Sequence, residues 1–203
     1  MPIYQHKIIN KNVKLGIWFI NEPIQQLTKL AEEKKVNLTN LPQVKNESRV
    51  KQWLATRLLL NYFFADVTIV YDEKGKPYLN NGWNISISHS GDYVAIILNK
   101  NGHCGIDIEK ISSKVERIKH KFLNTTDLNN IKTEQDITIF WGAKEALYKY
   151  YGKKEVLFIE NLFIENFSPS KNSFIGIINM PNLNIKLNIE WEKVEDYILV
   201  YTL

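Results

Sequence analysis

The sequence predicts a mixed α+β fold, and three observations carry the prediction. Two long stretches, 46–64 and 134–152, place apolar residues at helical spacing. Short runs rich in β-branched and aromatic residues surround them, separated by turn residues. The order helix-then-strands occurs twice. That order divides the chain into an N-terminal half, 1–100, and a C-terminal half, 101–203.

The elements follow in order. Residues 3–9 and 13–20 read as strands. "NEPIQQLTKLAEEKKV" reads as a helix with Pro23 near its start. In 46–64, Val50, Trp53, Leu54, Arg57, Leu58 and Asn61 trace helical spacing, and Asn46 suits an N-cap. "VTIVYDEKGKPYL" reads as strand, turn, strand, with Gly75 in the turn. "NISIS" alternates. "DYVAIIL" and "CGIDI" read as a hairpin around "NKNG". "KVERIKHKFL" and "TDLNNIK" read as short helices. The second long helix, 134–152, ends at Gly152, a usual stop residue. Strands are expected near 155–164, 173–179, 184–191 and 196–203.

An internal echo accompanies this order. "WLATRLLLNYF" from Trp53 and "WGAKEALYKYY" from Trp141 share Trp, Ala, Leu and two aromatics at matching offsets. "DYVAIIL" from Asp92 and "DYILVYTL" from Asp196 also match. Two readings stand: chance between aromatic-rich elements, or two related halves about a pseudo-twofold axis with a cleft between them. In the second, Arg57 and Glu145 are equivalent.

Composition excludes several classes. Hydrophobic residues make up 44% and charged residues 24% of the 203, as in ordinary soluble proteins. No apolar run approaches the roughly 20 residues of a membrane span, and the N-terminus lacks the order of a signal peptide. One cysteine excludes an internal disulfide and suits a reducing cytoplasm. A net charge of +4 leans toward phosphates or acidic partners without arguing for nucleic acid.

Asp107 and Glu109 stand at i and i+2 of a strand, so both carboxylates share a face. They are either ordinary acids on a solvated face or a pair sharing a divalent cation; Mg²⁺ takes such oxygen ligands. Trp141, Glu145 and Lys149 form one stripe of the second long helix, and Phe140, Ala143, Leu147 and Tyr151 another that faces the core. Glu145 and Lys149 make either a helix-stabilising pair or a metal ligand and a phosphate contact. Ser88, His89 and Ser90 close a strand, where a histidine caps, packs or binds. Lys74 and Lys76 flank Gly75 in a turn that is solvated or meets a phosphate. No nucleophile elbow surrounds the serines, and His103 with Cys104 lacks a second pair for zinc.

In order, "GKP", "SISHSGDYV", "GIDIEKI" and "FWGAKEALYK" resemble the Sfp-type 4′-phosphopantetheinyl transferases of the holo-carrier-protein synthase superfamily. Those enzymes show a G-K-P turn, an S-H-S-like segment, a G-(I/V)-D-x-E strand and a W-x-x-K-E-x-x-x-K helix. The matches run from about Arg49 to Gly152. Where many members continue G-K-G after the helix, this chain has "GKKE", a departure that bears on the loop and on carrier preference.

The resemblance implies two similar α/β halves about a pseudo-twofold axis, with the site in their cleft and the metal in the C-terminal half. It implies transfer of the phosphopantetheine arm of coenzyme A to a serine of an apo acyl or peptidyl carrier protein, releasing adenosine 3′,5′-bisphosphate. Asp107, Glu109 and Glu145 would hold Mg²⁺. Glu145 would take the serine proton, directly or through water, and Lys149 would stabilise the departing phosphate. Lys76, Ser88, His89 and an arginine would bind the coenzyme A phosphates. Arg49 fits by position, with Arg57 the alternative. The basic stretch 112–123, with Lys114, Arg117, Lys119 and Lys121, is either a carrier-docking surface or a solvated helix. A cytoplasmic monomer without nucleic-acid or membrane partners is expected. The rivals are a metal-dependent nuclease, whose acid-x-lysine spacing is missing, and a non-catalytic binding module, which need not keep all of Asp107, Glu109, Glu145 and Lys149.

Overall fold

The structure is a computed structural model and describes residues 3–203. It divides into two compact units, one ending at Gly102 and one running from His103 to Leu203.

The first unit contains β1 (Ile3–Asn10), β2 (Val13–Phe19), α1 (Ile24–Glu33), α2 (Glu47–Phe63), β3 (Ile69–Tyr71), β4 (Pro77–Leu79), β5 (Asn84–Ser90) and β6 (Tyr93–Asn99). Its antiparallel sheet has the order β1-β2-β6-β5-β4-β3. Asn46 caps α2 through the Arg49 amide, 3.3 Å away. The helix buries Leu54, Leu58 and Leu59 with Trp18, Val94 and Ile96 of the sheet.

The second unit contains β7 (Ile106–Lys110), α3 (Ser113–Arg117), a 3₁₀ turn (Lys119–Lys121), α4 (Thr125–Asn130), α5 (Glu134–Tyr151), α6 (Phe158–Asn161), β8 (Leu162–Glu165), β9 (Ser173–Met180), β10 (Leu183–Val194) and β11 (Tyr197–Thr202). Its antiparallel sheet has the order β7-β11-β10-β9-β8. A reciprocal capping box, Thr133 with Asp136, starts α5, and Gly152 ends it at φ 68°. Phe140, Ala143 and Leu147 of α5 join Ile178, Ile189, Ile198 and Val200 in the core.

The echo is real at the level of topology. Each unit runs strand, long helix, then further strands ending in a hairpin, and β2-β6-β5-β4-β3 has the same connectivity as β7-β11-β10-β9-β8. The register repeats as well. Phe19 pairs with Tyr93 and Lys110 with Tyr197. The next amide closes each pair in the same way: Ile20 donates to the Asp92 carbonyl at 2.7 Å and Ile111 to that of Asp196 at 2.8 Å. The two hairpin turns share a left-handed residue, Gly91 at φ 54° and Glu195 at φ 52°. The expected mixed α+β class and the likeness of the two halves are therefore borne out within each unit. β1 and α1 belong to the first alone.

Three local expectations are corrected. "DYVAIIL" and "CGIDI" do not form a hairpin: β6 lies between β2 and β5, whereas β7 pairs with β11 of the other sheet. The turn residues of "NKNG" instead mark the boundary between units. The 155–164 stretch is not one strand. Asn161 Oδ1 accepts from the Leu157 amide at 2.8 Å and winds 158–161 into α6 before β8 begins. The basic helix at 114–123 breaks at Ile118 into α3 and the 3₁₀ turn.

Candidate active site

On β7 the side chains alternate, and the carboxylate side is the side α5 covers. Asp107 stands opposite Val200, and Glu109 opposite Ile198. Val200 and Ile198 belong to the core beneath α5. Two glycines let the helix come this close. A Cβ at Gly105 would overlap the Ala146 carbonyl, and one at Gly142 would stand 2.8 Å from Val200 Cγ2 and 3.6 Å from Asp107 Oδ2. Asp107 is thus only 5% exposed, which removes the reading of a solvated strand face for that residue. Glu109, nearer the strand end, is half-buried.

Lys149 answers the buried charge. Its Nζ donates to Asp107 Oδ1 at 2.7 Å and to the Ile106 carbonyl at 3.0 Å. An ammonium has three donors, so one remains. Glu145 lies one turn earlier on α5 and is half-buried. Burial pushes its carboxyl up to about 7; Asp107 adds to the rise, Lys149 opposes it, and Glu109 adds a smaller part. Asp107, Glu145 and Lys149 therefore share one electrostatic neighbourhood, with Glu109 at its edge. A raised carboxyl beside a buried carboxylate and a cation makes this cluster the candidate site.

The repeat sharpens the point. By register, the position of Asp107 corresponds to Gly16 in the first unit, and that of Glu109 to Trp18. There α2 packs on Gly16 through Leu59 and Phe63, and Trp18 has no exposed surface. The same architecture folds with a glycine and an indole where the second unit has two acids. Buried charge is costly unless compensated, so the acids are not what the fold requires.

Oxygen donors of this kind suit a hard divalent cation. As placed, they do not form a ready-made ligand cluster: among the described residues no three His, Cys, Asp or Glu side chains are gathered closely enough to hold a metal ion. Like charges repel, and Asp107 takes the Lys149 ammonium.

The other candidates lie in the first unit. Asp72 Oδ1 accepts from the amides of Lys74 and Lys76, at 2.9 and 2.8 Å, and shapes the Gly75 turn that presents Lys76. Ser88 is buried and His89 exposed near the end of β5, opposite Ala95 and Val94. The two arginines part company on α2. Gln52 Nε2 donates to the Gly91 carbonyl at 2.9 Å, and exposed Arg49 lies one turn before it on that side. Arg57 lies about 140° around the helix from Gln52. Its guanidinium stacks 3.4 Å over the Trp53 ring and lines a cavity with Lys35, Asn61 and Asp66. Burial lowers its pKa, with Tyr71 opposing.

Sequence reading gave no role to Lys144, which has no exposed surface. Its place one residue before Glu145, between Ala143 and the charged stripe, carried little sign of burial. Desolvation lowers its pKa and Asp127 opposes the shift.

Residues 103–202 match the model of the 4′-phosphopantetheinyl transferase superfamily. The 4′-phosphopantetheinyl transferase AcpT of Salmonella typhimurium is 32% identical over 116 residues, 51% of this chain and 60% of the relative. Its namesake from Escherichia coli K12 is 30% identical over 115 residues, 51% and 59%. The L-aminoadipate-semialdehyde dehydrogenase-phosphopantetheinyl transferase of Xenopus laevis is 28% identical over 127 residues, 52% and 41%. The matched stretch thus spans about three fifths of the first two relatives. No helix among the described residues is long and apolar enough to cross a membrane.

Proposed function

We propose that residues 103–202, which match the model of the 4′-phosphopantetheinyl transferase superfamily, are a domain of that superfamily, and that the chain transfers the phosphopantetheine arm of coenzyme A to a serine of an apo acyl or peptidyl carrier protein. The observation that carries the reading is the pair of buried Asp107 and half-buried Lys149 beside Glu145, with Asp107 and Glu109 at positions where the repeat has no acid.

In this reading the serine Oγ forms a bond to the pantetheine-side phosphorus of the pyrophosphate. The bond from that phosphorus to the bridging oxygen breaks, and adenosine 3′,5′-bisphosphate leaves. Glu145 accepts the serine proton, directly or through a water. The remaining donor of Lys149 meets the oxygen on which charge develops. Asp107, Glu109 and Glu145 would hold Mg²⁺, which supplies charge neutralisation and polarisation of the pyrophosphate when bound. Arg49, Lys76, Ser88 and His89 contact the phosphates at the adenosine end. Positioning and charge supply most of the rate in such transfers.

Carrier proteins are typically acidic. Lys114, Arg117 and Lys121 are exposed, and with Lys119 they form the docking stretch in this reading; the interaction weakens with salt. The reading also takes the protein as a cytoplasmic monomer.

One incubation tests the reaction. Apo carrier, coenzyme A and Mg²⁺ are combined, and the carrier is read by intact mass. A phosphopantetheine adduct is expected. Coenzyme A binding without an adduct would favour a binding module, and nicked nucleic acid under Mg²⁺ a nuclease. The arginine assignment has its own test. Arg49→Ala is expected to raise the KM for coenzyme A about tenfold or more, the weight of a charge-assisted hydrogen bond. Arg57→Ala should lower thermal stability through its lost stack and leave that KM nearly unchanged. The reverse pattern reassigns the contact to Arg57.

A further inference from the structure

Lys144 is enclosed completely, and each of its three donors has an acceptor. Its Nζ donates to the Phe122 carbonyl at 2.6 Å, to Asp127 Oδ2 at 2.6 Å and to the Phe158 carbonyl at 3.2 Å. The acceptors come from three separate segments: the end of the 3₁₀ turn, α4 and α6. Asp127 is itself 2% exposed. The same Oδ2 accepts from the Asn124 amide at 3.1 Å, and Asn124 Oδ1 accepts from the Asp127 amide at 2.8 Å. One carboxylate thus starts α4 and holds the ammonium. Trp141 completes the join, with ring centroids 4.9 Å from Phe122 and 5.9 Å from Phe158.

A buried ion pair is not the cheapest filling for such a space. Well-packed apolar residues of similar volume often match or exceed its stability. What an ammonium adds is direction, because it fixes three acceptors to one point. The lysine that gathers them directly precedes Glu145 on α5.

We propose that Lys144 is a positioning residue: its ammonium fixes residues 119–130 and α6 against α5, and so sets the surface that delivers the carrier serine to Glu145. The second part rests on the transferase reading; the first does not.

The test separates direction from mere stability. Lys144→Met alone leaves the Asp127 carboxylate buried without its cation and is expected to destabilise the fold. The double variant Lys144→Met/Asp127→Leu removes both charges and should recover a thermal midpoint within a few degrees of wild type. In that folded variant, amide hydrogen exchange over 119–130 and 157–161 is expected to quicken about tenfold or more, while β9–β11 exchange as before. The KM for carrier should rise about tenfold, with the KM for coenzyme A within about twofold. A merely structural role would return carrier KM and local exchange to wild type together with stability. Unchanged exchange over 119–130 overturns the positioning claim. Quickened exchange with an unchanged carrier KM overturns the docking part. If the double variant does not fold, Asp127→Asn, which keeps an acceptor and loses the charge, is read by the same two measurements. A wild-type protein that transfers nothing would sink the transferase reading, and the exchange measurement would still decide the first part.

Discussion

Glu145→Gln is expected to lower the turnover of phosphopantetheine transfer by about 10²–10⁴-fold, the usual weight of a general base. The KM for coenzyme A should stay within about twofold. The substitution keeps the length and planarity of the side chain and one carbonyl oxygen, and removes the ability to take a proton. Glu145 is the right group to ask about. Burial and the Asp107 charge lift its carboxyl to about 7, against the pull of Lys149, so its proton affinity lies far above that of a solvated glutamate. Single-turnover rates with preformed coenzyme A complex separate loss of chemistry from loss of binding. Unchanged single-turnover rates would remove Glu145 from proton transfer. Loss of coenzyme A affinity in step with turnover would instead make it chiefly a binding group.

Much of this site was legible in the sequence, for identifiable reasons. The i, i+2 spacing put Asp107 and Glu109 on one strand face, and the i, i+4 spacing put Glu145 and Lys149 on one helix stripe. Local chain geometry fixes both relations. The helix-then-strands echo foresaw the repeated topology because each half is built from the same local order. Long-range pairing was not legible. A turn-rich "NKNG" between two apolar runs looks like a hairpin loop whether the next strand folds back or leaves for another sheet, as β7 does. Which side of β7 the helix covers was also missed. Ile106 and Ile108 are buried as well, so both faces of β7 are covered, and α5 lies on the acid side. A signal existed in Gly105 and Gly142, small residues where two backbones approach. Lys144 was hidden because its acceptors, Phe122, Asp127 and Phe158, are scattered along the chain.

The approach of α5 to β7 makes Gly105→Ala the more damaging of the conservative glycine replacements. The added methyl would overlap the Ala146 carbonyl and stand 3.1 Å from the Tyr150 amide nitrogen. Both obstacles are backbone atoms inside a helix and cannot rotate away. Gly105 is also tied to Thr202 by two hydrogen bonds of 2.9 Å, so the strand cannot readily retreat. Overpacking of this kind costs about 3 kcal/mol or more, roughly a 6–12 °C fall in Tm for a chain of this size. Gly142→Ala meets side chains alone, Val200 Cγ2 at 2.8 Å and Asp107 Oδ2 at 3.6 Å, and should cost less. Gly102→Ala meets nothing closer than Asn99 Nδ2 at 3.8 Å and should be nearly neutral. The order Gly105, Gly142, Gly102 in thermal melts is the expected result. The functional consequence follows from the same geometry. A helix pushed off β7 carries Glu145 and Lys149 away from Asp107. At a temperature where Gly105→Ala is still folded, turnover should therefore fall further than it does in Gly142→Ala. Equal melting points for the three variants would mean that α5 and β7 do not meet at Gly105, and the Asp107–Lys149 pair would lose its structural basis.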